Sequence, residues 1–303
     1  MESRGRLDEV SAEVRAVIGQ ASLPAEFADA ISESLTLDGR ILAAEPLAYW
    51  ARNVLAAAGS AGLSDPRQAV PAAAAVELTV SSFELLDNVQ DGDPNAVIAR
   101  LGIPQALNVA FALLVLGQRA LLDLPSRGVA PDVTLAVQRE LTDAIAAAGS
   151  GQYLDLALEG RSGVTERDAL DVAERKTAAL VAGACRVGGR LGTDDPFVLD
   201  VLGRFGWHLG LADQLQNDVD ALHSARGDEQ LRGKATLPAA AARAFDLDDV
   251  GGAEGDQARR KALADLGGLH YTWVVMDLHR QQAREILREL SPAYSSEALL
   301  DLL

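Results

Sequence analysis

Two groups of acidic side chains, about 130 residues apart, have the types and spacing for divalent-cation chemistry. The first is Asp87-Asn88-Val89-Gln90-Asp91 and the second is Asn217-Asp218-Val219-Asp220. Residues four apart share one face of an α-helix, so Asp87 and Asp91 point the same way, one turn apart. Two such carboxylates form half a site for a hard cation: magnesium takes oxygen ligands, keeps several waters and bridges phosphate oxygens. Each group is followed later in the chain by a lysine, Lys176 and Lys234. A solvated acidic face and solvated lysines are the plainer readings in so acidic a chain. Against them, both acidic groups close largely apolar stretches, where a carboxylate is costly unless paired or bound to metal.

The elements that must carry these groups read as helices almost throughout, because alanine and leucine dominate and alternating β-branched or aromatic residues are rare. Asp65-Pro66, Asp93-Pro94, Asp195-Pro196 and the stretch from Thr165 to Asp168 have the form of a cap followed by a helix start. The pattern predicts helices near 6–20, 24–35, 44–59, 66–91, 103–123, 131–159, 165–191, 196–223, 234–245, 254–290 and 295–302. No heptad seam is sustained, so the expected architecture is a globular all-α bundle with a central cavity.

With 303 residues, 49% of them hydrophobic, the chain can bury a large core, and no change of composition marks a domain boundary. A formal charge of -17 argues against nucleic acid or an anionic membrane surface as a partner. The single cysteine, Cys185, excludes an internal disulfide framework, and the histidines at 208, 223, 270 and 279 show no ligand spacing. The N-terminal MESRGRLDEV lacks the apolar segment of a signal peptide, and the most apolar stretch, Ala106 to Gly117, is too short for a membrane span. A cytoplasmic location is the expectation.

Five segments in order carry a family resemblance: ELTVSSFELLDNVQDGD to a first aspartate-rich DDxxD segment, GQYLDLALEG to a GQxxDL stretch, ERKTAALVAGACRVGG to a KTAxL helix, GLADQLQNDVDAL to a second aspartate-rich segment, and RGKATLP to a GKxTLP element. From Glu77 to Pro238 the chain resembles the class I trans-isoprenyl diphosphate synthases, or polyprenyl synthetases, whose relatives include terpene synthases. The resemblance implies one isoprenoid-synthase domain over residues 1–303, a large helical bundle around an apolar cavity. It implies an allylic prenyl diphosphate as substrate, Mg2+ as cofactor with three ions when substrate is bound, and a homodimer. Asp87, Asp91 and Asp218 are then the catalytic carboxylates, with Asn88 and Asn217 completing the metal ligands. Lys176, Lys234, Gln214 and Arg100 hold the diphosphate, and Phe83, one turn before Asp87, forms the cavity floor.

Departures from the family pattern point to the reaction. The early Gly-Gly-Lys-x-x-Arg-Pro segment, which serves the second substrate isopentenyl diphosphate, is reduced to Arg40, with Glu45 before Pro46. Val80 stands where the family has a histidine, and only Arg100 follows the first motif. The second motif has Ala221 for its third aspartate, and Asp220, one position earlier, lies about 100° away around the helix. Asn217, Asp220 and Ser224 offer a shifted ligand set, and Glu84 reads as a ligand, a base or a surface charge. Erosion of the second-substrate cations favours ionisation of an allylic diphosphate followed by cyclisation, elimination or transfer to another acceptor. Chain elongation with isopentenyl diphosphate requires Arg40, Arg52 and Arg100 to converge on one pocket. A silent regulatory subunit is the third reading.

Overall fold

The computed structural model describes residues 2–37, 39–93, 95–223, 234–244 and 267–303, and among these all regular structure is helical. The chain divides into two compact units, one of Met1–Thr142, Gly183–Gly203 and Leu290–Leu302, the other of Asp143–Ala182, Arg204–Glu289 and Leu303. Three long helices, α7 (Pro131–Leu158), α9 (Ala179–Gly192) and α10 (Pro196–His223), contribute residues to both.

The first unit is built on α4 (Val70–Asp91), whose body is buried through Ala72, Ala73, Ala74, Ala75, Leu78 and Thr79. Around it lie α1 (Glu2–Gln20), α2 (Ala25–Ser34), α3 (Tyr49–Ser60), α5 (Ala96–Leu101) and α6 (Ile103–Leu121). Helices α4 and α6 pack closely, and a Cβ at Gly117 would come within 2.9 Å of the Ala75 carbonyl oxygen. Alanines on α4 and glycine on α6 let the two backbones approach. Stretches 66–91 and 103–127 are each long and apolar enough to cross a membrane by length and composition, longer than the twelve-residue stretch legible in sequence. In the first stretch 83% of the apolar window is buried in the protein, so its apolarity serves the core.

In the second unit α8 (Glu166–Ala173) starts at a capping box in which Thr165 and Asp168 satisfy each other's backbone N–H. It runs into a π turn, Glu174–Ala178, before α9. Ala173, Ala178, Leu211, Ala212, Leu215, Leu237 and Met276 form the core, drawn also from α11 (Leu237–Ala244) and α12 (Gly268–Leu287). A short α13 (Glu297–Leu300) packs on α3 in the first unit.

Three differences from the sequence pattern have local causes. Helix α3 starts at Tyr49, not near 44, because Ala48 adopts a left-handed φ of 44° that no helix can continue. Helix α5 exists because the Asn95 side chain accepts the N–H groups of Val97 and Ile98, and Gly102 at φ 75° ends it. The single helix expected over 165–191 is interrupted by the π turn. The beginning of the helix expected over 254–290 lies outside the described residues.

Substituting Gly117→Ala will lower the unfolding free energy by about 1–3 kcal/mol in urea titration, because the added methyl meets backbone. Gly59→Ala, in open space on α3, will leave it equal or raise it by up to about 1 kcal/mol.

Candidate functional site

In the first unit the acidic group occupies the last turn of α4. Asp87, Asn88 and Asp91 are all half-buried, and Gly92 in the left-handed conformation stops the helix just beyond them. A helix C-terminus carries partial negative charge, so carboxylates there are disfavoured unless a cation offsets them. The last turn of α4 contains no basic residue. Two carboxylates and an amide offer hard oxygen donors on one side only, which fits magnesium, an ion that keeps waters and takes substrate phosphate oxygens for its other positions. Among the described residues no group of three or more His, Cys, Asp or Glu forms a ready cage. Phe83 is half-buried one turn earlier.

Further up α4 lies a network that sequence reading missed. Glu77 is 2% exposed, and its carboxylate accepts the N–H groups of Ala51 at 2.7 Å and of Trp50, in the first turn of α3. It does the work of the missing N-cap side chain, since Ala48 has none to offer. Burial pushes the Glu77 carboxyl up to about 7, with the Ala51 N–H, the Arg40 charge and the Trp50 N–H opposing. Arg40 reaches Ser81 Oγ at 3.5 Å and forms an ion pair with Glu84. Burial lowers the Arg40 guanidinium below its ordinary value, and Glu77 counteracts this. Arg100 pairs with Glu33 at the surface. Arg52 lines a cavity of about 540 Å³ with Arg15, Asp8 and Glu45, and neither Arg40 nor Arg100 contributes to its lining.

In the second unit the π turn presents Lys176 and Thr177. Turns of this kind recur at functional sites because they re-aim side chains. Lys176 Nζ lies 3.1 Å from Asp155 Oδ2, and the Thr177 hydroxyl donates to Gln214 Oε1. Gln214 Nε2 in turn donates to Asp218 Oδ1 at 2.9 Å, and Asp218 also accepts the N–H of Leu237 at the start of α11. Burial raises the Asp218 carboxyl to about 6, with Gln214 and the Leu237 N–H opposing, Asp155 adding to the rise and Lys176 reducing it. Asp155 and Gln152 are each 9% exposed, and among the described residues neither end of the Gln152 amide meets a partner. Gly151 permits this arrangement, because a Cβ there would come 2.5 Å from the Lys176 backbone nitrogen.

Helix α10 turns Asp218 inward, one turn after Gln214, and leaves Asn217 and Asp220 exposed. Asp220 accepts from Gln216 Nε2 at 2.9 Å. Lys234 and Thr236 precede α11, both half-buried, while Ser224 and the start of the RGKATLP stretch lie outside the described residues. Two of the scattered histidines also meet, His208 Nδ1 lying 2.8 Å from His279 Nδ1 beside Trp207. Asp155, Gln152 and Glu77 fell within the quoted motifs, yet nothing in spacing alone marked them as partners of Lys176 or Arg40.

A free Glu carboxyl titrates near 4.5 and Glu77 near 7, so between these values the folded chain binds more protons than the unfolded one. Stability therefore falls as pH rises through that window. Glu77→Gln keeps an acceptor for Ala51 and removes the titration. The variant will gain stability relative to the natural chain between about pH 5 and about pH 8 in urea titrations, and an unchanged difference would refute the assignment.

The polyprenyl synthetase family model matches residues 50–242. A (2E,6E)-farnesyl diphosphate synthase of Mycobacterium tuberculosis is 37% identical over 187 residues, 60% of this chain and 49% of that protein. The chain thus spans about half the length of that curated relative. A geranylgeranyl diphosphate synthase of Methanosarcina mazei is 30% identical over 270 residues, 82% of each chain. Among solved structures, a geranylgeranyl pyrophosphate synthetase of the archaeon Geoglobus acetivorans superimposes with a TM-score of 0.82 at 22% identity, covering 99% of this chain and 95% of the other.

Proposed function

The chain belongs to the polyprenyl synthetase family and has its all-α isoprenoid synthase fold, and from that membership we propose that it ionises an allylic prenyl diphosphate and transfers the prenyl group. The observation that carries this reading is the network in the second unit: Lys176, Thr177, Gln214 and Asp218 are tied together, with Asp155 on Lys176. A cation donor and an inward carboxylate held this way suit a leaving diphosphate. We also read residues 1–303 as one domain, which the continuous family match through both units supports, and a cytoplasmic location belongs to the same proposal.

In this reading Asp87 and Asp91, with Asn88, and Asp218, with Asn217, hold magnesium. Bound magnesium supplies positive charge against the departing diphosphate. Lys176 and Lys234 donate to its oxygens as point charges, Arg100 and Gln214 adding to them, and Asp155 orients Lys176. The Gln152 amide, without a partner among the described residues, offers a hydrogen bond to a substrate atom, and Phe83 closes the prenyl end. The allylic C–O bond breaks with its electron pair on the diphosphate, so no nucleophilic side chain is needed.

The relatives are named for chain elongation, so condensation with isopentenyl diphosphate is the acceptor chemistry they support. Cyclisation, elimination or transfer to an acceptor other than isopentenyl diphosphate, favoured on sequence alone, has no such support. One observation keeps a non-elongating reading: Arg40, the surviving cation of the second-substrate segment, is engaged by Glu84.

Purified protein will be incubated with magnesium and geranyl, farnesyl or geranylgeranyl diphosphate, with and without isopentenyl diphosphate, and products identified by mass spectrometry. A longer diphosphate formed only with isopentenyl diphosphate establishes elongation. Hydrocarbon, alcohol or another adduct without it establishes the second reading, and no turnover points to a silent subunit. Lys176→Gln and Asp218→Ala will each reduce kcat by about 10²-fold or more, and chelation of magnesium will abolish turnover.

The homodimer is proposed on α6. Ile103, Leu107, Phe111 and Val115 recur every four residues along its exposed face, and the helix carries no acidic side chain in a chain of charge -17. A second copy covering that stripe would remove it from water. Phe111→Asp will shift the sedimenting species from dimer to monomer; an unchanged mass would place the interface elsewhere.

A further inference from the structure

The four histidines show no ligand spacing in the sequence, yet folding brings two of them together. His208 on α10 and His279 on α12, 71 residues apart, face each other with their Nδ1 atoms separated by 2.8 Å and their ring centroids by 5.0 Å. Both helices belong to the second unit, where Leu211, Leu215 and Met276 share its core, and the Trp207 ring stands edge-on to both imidazoles. The two rings are half-buried. At this separation the facing nitrogens share one proton, donated by the ring in its Nδ1–H tautomer and accepted by the other. Two nitrogen donors therefore converge on one point between α10 and α12.

We propose that His208 and His279 are the protein ligands of a binding site for a transition-metal dication such as Zn2+, separate from the carboxylates at Asp87, Asp91 and Asp218. Neutral imidazole suits zinc and its transition-metal neighbours, whereas magnesium takes oxygen. Zn–N bonds of about 2.0–2.1 Å at a tetrahedral angle set two nitrogens about 3.3 Å apart, so the rings have only about 0.5 Å to open. The donor ring stays neutral by carrying its proton on Nε2 instead of Nδ1. Burial, the facing His279 and the Arg204 charge push His208 down to about 4, and burial lowers His279, so protons do not compete with a metal near pH 7. Arg204, one turn before His208, is the opposing charge, and Glu289 offsets it through bonds of 2.9 and 2.6 Å. Among the described residues no third His, Cys, Asp or Glu joins the pair, so water fills the remaining positions. Bound there, the ion clips α12 to the helix that carries Gln214 and Asp218.

The test titrates Zn2+ by calorimetry into the natural chain, His208→Gln and His279→Gln, each in excess magnesium to occupy the carboxylates. Each variant will bind zinc about tenfold or more weakly than the natural chain, and zinc will raise the thermal midpoint of the natural chain alone. Glutamine keeps a hydrogen-bonding side chain, and midpoints measured without zinc check that the variants fold. Equal zinc affinity in all three proteins places the ion elsewhere and overturns the proposal, as does a natural chain that takes up no zinc. Should a variant fail to fold, electron paramagnetic resonance of Cu2+ on the natural chain decides: coupling to two nitrogens supports the pair, and an all-oxygen spectrum refutes it. None of these readouts depends on prenyl transfer.

Discussion

Two helices can approach to backbone contact only where neither presents a large side chain, and α4 and α6 meet over alanine, threonine and Gly117. That approach takes the body of α4 out of water while its last turn stays half-buried. The division matters because the same helix must be apolar enough to sit in a core and acidic enough to end in Asp87 and Asp91. Had the contact with α6 been looser, water along α4 would have weakened every electrostatic interaction made by Glu77, Arg40 and Glu84.

The two units handle buried charge in different ways. In the first, Glu77 is satisfied by backbone N–H groups of α3 and one guanidinium serves two carboxyl groups. In the second, the polar groups are linked in sequence by side-chain hydrogen bonds from Thr177 through Gln214 to Asp218, with Lys176 on Asp155 beside them. The first arrangement fixes where a helix begins; the second leaves the buried Gln152 amide without a partner among the described residues.

Much of the fold was legible because its cues are local. Caps at Asp65, Thr165 and Asp195 and the alanine-rich periodicity place α4, α8 and α10 within a few residues. The acidic groups were legible for the same reason, since helical spacing is read from adjacent residues. What escaped depends on contacts distant in sequence or on backbone geometry. The start of α3 depends on Glu77, 26 residues on. The pairing of Lys176 with Asp155 spans 21 residues and that of Arg40 with Glu84 needs the loop and helix brought together. Helix α5 is six residues long, and its cap is Asn95 rather than the Asp93 suggested by the Asp-Pro pattern.

The π turn at Glu174–Ala178 sets a phase between the helical stretches on its two sides. Before it, Glu166 at the head of α8 accepts the hydroxyl of Tyr271 at 2.8 Å; after it, Val181 packs against Gly210 on α10. A turn of this type takes up one residue more than an α-helical turn, and one residue is worth about 100° of rotation. Losing a single residue from it would straighten the helix and swing one set of contacts away from the other by more than a quarter of a revolution. Lys176 is therefore held in place as much by the number of residues in its turn as by their kinds.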